Sequence, residues 1–504
     1  MLDEIARAHR VLADRPRPDL GLALRLAHHR WECTSADHRK AWSGGEDANE
    51  ALDELMAALH QIGDEDAVAR VADLFMQAAA RVDHDTDSGS WELVMIVQSL
   101  AGVGQVDRAE QLIAAVPDVR TQGEAQSLLA RLLVLKGDVP RAERTVAVIV
   151  EADLRSTAWL ELVPWMSGDP ARGLREAEES IALTDPGDQP GKLNHLAQTL
   201  LPGHADQARR VAARAADIAL TLTDPHDRDW GRMAAVAALA LTGQVERAEQ
   251  IIPTIVDRSP RELAMFKLVV VLGETGDFDR GLRVADGITD ADTRSNAQRH
   301  LVGPMAETGN TQWATATASA ITSPSDRAKG LADLAGALVE AGDVAGSRPV
   351  VEDAERANVA IEHPATRRLS RQHLVRTLIE AGDFEQAELT AVAAVEGRDP
   401  DFDLNRLAEG MIAAGHPDGA RRVIDLAASF AAAITEPSSR AWSLTSVAAN
   451  YFAVGAVDEA VRVLIEASGG GPWYRTLAKA AIIDPDAVHA VAEDVLHRET
   501  SNRD

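Results

Sequence analysis

Apolar residues recur four apart along this chain, each with an apolar or small neighbour beside it, and each run stops at a glycine. Leu374, Val375 and Leu378 precede Gly382; Leu334, Ala335 and Leu338 precede Gly342; Leu268, Val269 and Leu272 precede Gly276. That spacing is the buried stripe of an amphipathic helix. The glycine follows the last apolar residue, where a left-handed backbone ends a helix without steric cost. The next residue is aspartate at Asp64, Asp138, Asp169, Asp277, Asp343 and Asp383. An aspartate there caps a second helix by accepting its free N–H groups. Acidic residues follow in the first turn (Glu110, Glu143, Glu249, Glu388), where the helix dipole favours them.

Five residues beyond the glycine the side chain is small: Ala109, Ala142, Ala208, Ala248, Ala314, Ala387, Ala420 and Ala460, then Gly173, Gly281 and Ser347, with Val68 the exception. Two antiparallel helices joined by a tight turn need a small side chain where they nearly touch. Prolines then mark the start of the next unit at Pro186, Pro225, Pro260, Pro324, Pro364, Pro400 and Pro437. Proline cannot continue a helix interior but suits the first turn of a new helix. Each unit therefore reads helix, glycine turn, helix, proline turn.

The turn glycine occurs twelve times, at Gly63, Gly104, Gly137, Gly168, Gly203, Gly243, Gly276, Gly309, Gly342, Gly382, Gly415 and Gly455. Steps of 31 to 41 residues indicate stacked small units rather than one globular core. From Gly203, Gly342 and Gly415 to the following proline is 22 residues, against 15 to 18 elsewhere. The surplus predicts second helices longer by roughly 10 Å. Repeats cover about 48–468. Residues 1–47 are expected as an N-terminal helical cap, and 469–504 as a C-terminal helical cap with a frayed tail.

Composition narrows the function. The chain of 504 residues carries a net charge of −28. Nucleic-acid binders show basic patches, so that class is excluded. The acidity suits a soluble cytoplasmic protein; the plain reading is surface solubility, the sharper one a basic partner. A single cysteine, Cys33, rules out an internal disulfide framework. The acidic start at Met1-Leu2-Asp3-Glu4 gives no signal peptide. No apolar run is long enough for a membrane span. Six lysines among 51 basic residues look like a GC-rich, actinobacterial-type genome.

The unit resembles the tetratricopeptide repeat. The likeness rests on the Leu-small pair, the turn glycine, the small residue five later and the proline after the second helix, and it covers about four-fifths of the chain. Aromatics usual in that family are replaced here by Leu133, Leu272, Leu338 and Leu378 in the first helix and by Ile113, Val146, Ile252 and Ile424 in the second. The resemblance implies an all-α, right-handed superhelix, an α-solenoid of about twelve helical hairpins. It also implies a groove lined by the first helices that binds protein or peptide. The position six before each turn glycine would face that groove. It holds Gln98, Arg131, Arg376 and Glu409, along with Gly303, Gly336 and apolar residues. No Lys/Asn clamp for a C-terminal carboxylate is present. Gly303 and Gly336 leave bare backbone for a ligand or a neighbouring helix.

Trp91, Trp230 and Trp442 all stand thirteen residues before their glycines. They read either as packing between repeats or as aromatic lining of a binding groove. Asp83, Asp85 and Asp87 lack the glycine and glutamate of a calcium loop. Gly187 to Lys192 falls short of a phosphate loop, and His29 with Cys33 makes half a zinc site. No catalytic, cofactor-binding or metal-ligating set emerges. The chain reads as a non-enzymatic protein- or peptide-binding scaffold. One alternative is a regulatory sensor whose effector lies on another chain; another is an α/α-toroid enzyme, in which the array's two ends would meet.

Overall fold

The computed structural model describes residues 19–28, 46–79, 87–166, 170–393, 400–470 and 473–501, and every regular element among them is helical. The chain forms two compact units, Gln126–Thr390 and Met1–Ala125 with Ala391–Asp504.

The glycine turns are built as the pattern predicts. Ten of the twelve glycines have φ between 77° and 87°. At each, the following N–H reaches back to the last apolar residue, as in Asp277 N to Leu272 O at 2.9 Å and Asp343 N to Leu338 O at 2.8 Å. The glycine N–H closes a shorter bond inside it, as in Gly342 N to Val339 O at 2.8 Å. These paired bonds satisfy carbonyls that a helix end leaves free. Gly168 lies outside the described residues. Gly203 departs from the pattern, because Pro202 precedes it and the His204 N–H bonds Leu200 O at 2.8 Å, a right-handed closure.

A Cβ added at Gly309 would meet nothing within 4 Å, so its φ of +82° is the sole demand for glycine. Gly309→Ala is expected to cost about 1–2 kcal/mol, the penalty of left-handed backbone with a side chain. An unchanged midpoint in urea denaturation would refute this.

Capping follows as expected. Asp343 Oδ1 accepts from Gly346 N at 2.8 Å, and Asp138 Oδ1 from Arg141 N at 3.1 Å. Pro225, Pro324, Pro364 and Pro437 open their helices. Two prolines sit elsewhere. Pro186 lies in a turn ahead of a helix beginning at Gln189, and Pro260 is the third residue of Arg258–Glu274. The predicted long second helices are Ala205–Thr221, Val344–Val359 and Pro417–Ala433, at 16 or 17 residues. Val245–Ile251, Phe278–Asp286 and Thr311–Ala320 have 7 to 10. All eight small alanines after the turns are fully buried. At Gly281 a Cβ would come within 2.9 Å of the Leu301 side chain, which is the close approach the pattern demands.

In the unit Gln126–Thr390, four first helices matter most: Arg258–Glu274 (α1), Ala291–Glu307 (α2), Pro324–Glu340 (α3) and Pro364–Glu380 (α4). Each packs on the next, and α1, α2 and α3 each pack on the second helix of their own hairpin. Leu268, Val269, Leu301, Val302, Leu334, Ala335, Leu374 and Val375 fill the seams. Buried polar groups fasten one hairpin to the next. Asp229, Glu262 and Ser295 stand fourteen residues before Gly243, Gly276 and Gly309. Asp229 Oδ2 accepts the N–H groups of Val256 at 3.1 Å and Asp257 at 2.6 Å. Glu262 Oε1 accepts those of Thr289 at 2.9 Å and Asp290 at 3.1 Å, and the Thr289 hydroxyl. Ser295 Oγ accepts the N–H of Ser323 at 3.3 Å. Each group thus fastens the loop that leads into the following first helix.

In the other unit the first repeat of the array, together with His28 from the N-terminal segment, packs on the C-terminal segment. Helix Glu46–Ile62 lies against Leu477–Ile483 and Pro485–Ser501. Glu50 pairs with Arg475 at 3.0 Å and accepts from the Tyr474 hydroxyl at 3.2 Å. Arg70 meets Glu493 at 2.7 Å, and His489 meets Asp64 at 3.0 Å. Buried His28 approaches Asp494 at 3.2 Å and lies edge-on to Trp473. Among the described residues no helix is long and apolar enough to cross a membrane.

Candidate functional site

Helices α1 to α4 are 17 residues long, and each ends on a glutamate: Glu274, Glu307, Glu340 and Glu380. These residues stand two before the turn glycine, and no other repeat has glutamate there. A helix C-terminus already carries partial negative charge, so an acid in the last turn is disfavoured and a base is favoured. None of the four helices has a basic residue in its last turn. All four glutamates are exposed. Glu380 comes within 3.7 Å of Arg376; Glu274, Glu307 and Glu340 form no ion pair among the described residues.

The four glutamates rim a cavity of about 330 Å³ that is also lined by Val270, Arg299, His300, Gly303, Pro304, Asp333, Gly336, Ala337, His373, Arg376 and Thr377. Its polar side chains form one chain of contacts. Arg376 Nη2 donates to His373 Nδ1 at 2.7 Å, and His373 Nε2 donates to Asp333 Oδ1 at 2.7 Å. Arg299 Nη1 stands 3.6 Å from Asp333 Oδ2, and Arg299 Nη2 donates to His300 Nε2 at 2.9 Å. Burial, reinforced by the Arg299 charge, pushes the His300 imidazole below its usual range, so it is neutral at pH 7. Five carboxylates against two guanidiniums leave three uncompensated negative charges. Both ring nitrogens of His373 are engaged, so neither offers a free lone pair for proton abstraction.

The two glycines of the cavity differ. A Cβ at Gly336 would overlap the Thr377 Cγ2 methyl, so that glycine serves the close approach of α3 and α4. A Cβ at Gly303 would meet only Asp333 Cβ, at 3.8 Å, so the backbone of α2 is bare toward the cavity.

Of the seven residues singled out in the sequence, Arg376 lines this cavity and six do not. Gln98, Arg131 and Glu409 are exposed elsewhere on their helices. The three tryptophans are partly exposed, to different degrees: Trp91 is 64% exposed, Trp442 51% and Trp230 37%. Trp442 stacks on Phe402 with ring centres 6.0 Å apart, and Trp230 tilts against His226 at 6.1 Å. Lys192, from the incomplete phosphate loop, is tied to Asp153 at 2.7 Å. His29, Cys33, Asp83 and Asp85 lie outside the described residues, and no group of three metal-ligating side chains occurs among those described. The signal that would have located the cavity is the glutamate two before the glycine in four successive repeats.

No protein-family model matches the chain, and no curated protein matches it. Solved structures similar to it include Ton1535 from Thermococcus onnurineus NA1, at 14% identity over 70% of this chain and 98% of that one, with a TM-score of 0.27. The APC/C hetero-tetramer Cut9–Hcn1 matches at 13% identity over 82% and 89%, TM-score 0.22. A circular tandem repeat protein with novel repeat topology and enhanced subunit contact surfaces matches at 15% identity over 90% and 96%, TM-score 0.17.

Proposed function

We propose that this protein is a non-enzymatic interaction scaffold, and that the ends of α1 to α4 dock a positively charged segment of a partner protein. The observation that carries this reading is the set of four successive helices ending on exposed glutamates around an acidic cavity. Glutamates placed against their own helix dipoles lower local stability. A cationic partner would offset both the dipoles and the carboxylates. The engaged ring nitrogens of His373 suit holding Asp333 in place rather than moving a proton.

The test is fluorescence anisotropy of a labelled oligolysine peptide with the full chain. Binding should weaken as salt rises, because exposed charges are screened beyond about 10 Å at 0.1 M ionic strength. Replacing three exposed carboxylates together, Glu274→Gln, Glu307→Gln and Glu340→Gln, should weaken binding by about tenfold. A control with Glu352→Gln, Glu362→Gln and Glu385→Gln, all exposed elsewhere on the same unit, should bind as the unaltered protein does. Equal loss in both variants would reduce the effect to net charge and overturn the site.

A further inference from the structure

Buried polar atoms that make no hydrogen bond to the protein concentrate around one pair of hairpins. Among the described residues nine side chains hold such an atom, and five of them are Glu355, Asn358, Ser370, Arg371 and Thr390. They come from Val344–Val359, the second helix of the α3 hairpin, from α4, and from the helix after it, Phe384–Ala393. Arg371 Nε lies 3.5 Å from Glu355 Oε2 and so joins two of these helices. Burial pushes the Glu355 carboxyl up, against the pull of Arg371 and of the Thr390 hydroxyl, so the third helix meets the same place. None of the five residues lines the acidic cavity.

Asn358 is the sharpest case. It is fully buried, and neither its Nδ2 nor its Oδ1 has a protein partner. It stands sixteen residues beyond Gly342. The same position in the other two long second helices is Ala219, sixteen beyond Gly203, and Ala431, sixteen beyond Gly415, both fully buried. The repeat thus accepts an apolar side chain there, whereas a buried amide left unpaired is strongly unfavourable. Elsewhere the protein satisfies a buried asparagine itself. Asn450 Nδ2 donates to Asn405 Oδ1 at 3.0 Å and to Asn405 O at 3.2 Å.

A partner for Asn358 must both donate and accept, because an amide does both. It must also be small, because Asn358, Ser370 and Thr390 are each no more than 2% exposed. Water meets both demands, and a buried water typically makes about three hydrogen bonds to polar groups of this kind. Glu355 stands three residues before Asn358, so the two share a face of their helix with Cβ atoms about 5–6 Å apart. One water molecule spans the polar ends of such a pair. We infer that the buried face of Val344–Val359 is a binding site for ordered water, which bonds both ends of the Asn358 amide and links it to Glu355 Oε1.

The test is a high-resolution crystal structure of the full chain. Solvent density should lie within about 3.2 Å of both the Nδ2 and the Oδ1 of Asn358. Protein groups at that distance from both atoms would overturn the site, and so would an amide with neither solvent nor protein beside it. The second measurement is urea denaturation of Asn358→Leu, a side chain of similar size that cannot hydrogen-bond. Its folding equilibrium constant should fall about fivefold, the scale of one or two lost hydrogen bonds. A constant that is unchanged or higher, which is the result of removing an unpaired amide, would overturn the bridge. If the variant does not fold, the density decides.

Discussion

Replacing Asp229 with alanine is expected to destabilise the unit Gln126–Thr390 by about 3 kcal/mol, the cost of stranding buried polar groups. Asp229 is 2% exposed. Its carboxylate holds the N–H groups of Val256 and Asp257 and pairs with Arg228 at 2.8 Å. Alanine would leave both N–H groups without an acceptor at the entry to α1. Hydrogen exchange at the Val256 and Asp257 amides gives the local reading, and thermal denaturation the global one. Unchanged protection at those amides would refute the fastening role.

Acid should act on the same contacts. The Arg228 hydrogen bond, working against burial and aided by the two backbone N–H groups, holds Asp229 below the ordinary carboxylate range. Burial pushes Glu262 up, but the hydrogen bonds from Thr289, Arg258 and the backbone outweigh it and leave the group lowered. A carboxylate depressed in the folded state stabilises fully above its unfolded value, about 4. That stability is lost as pH falls through the lower folded values. Loss of amide protection at Val256, Asp257, Thr289 and Asp290 should therefore set in below about pH 4, and protection that stays constant to pH 2 would refute it.

Gly336→Ala is expected to cost about 2 kcal/mol by overpacking. The added methyl would overlap Thr377 Cγ2. Thr377 is β-branched, and its hydroxyl donates to the His373 carbonyl at 3.0 Å, so its methyl has little freedom to turn aside. Relief must come from parting α3 and α4. The two helices carry Asp333 and His373, whose 2.7 Å contact spans the seam. The substitution should therefore weaken oligolysine binding as well as stability. Gly303→Ala, where a Cβ meets only Asp333 Cβ at 3.8 Å, should leave stability nearly unchanged. If the two substitutions lower the melting temperature equally, the assignment of Gly336 to helix approach fails.

Much of the architecture was legible because its determinants are local. A turn glycine, the aspartate after it and the alanine five residues on act within one hairpin, through backbone bonds such as Asp343 N to Leu338 O and caps such as Gly346 N to Asp343 Oδ1. Gly203 shows the limit of the rule. Its position fits the repeat, yet Pro202 beside it leads to a right-handed closure through His204 and Leu200. The tryptophans show another limit. Their shared position was visible, but whether an indole is covered depends on the neighbouring repeat, and Trp91 is left 64% exposed.

The candidate site was less legible. Acidic residues recur in every repeat for capping, and the four terminal glutamates are hidden among them until aligned on their glycines. Of its centre, Arg376 was visible from repeat position alone, whereas Arg299, His300, Asp333 and His373 come from three helices and make one network only when α2, α3 and α4 are packed.

By itself the sequence determined the helices, their turns, their caps and the two helix lengths, because each depends on residues within a few positions of one another. The tertiary structure decided which helix ends converge on the acidic cavity and which chain segments meet. Glu50 and Arg475 are 425 residues apart in sequence, and Arg70 and Glu493 are 423 apart. Contacts over such separations join two segments of one compact unit that are remote in sequence, and no local pattern records them.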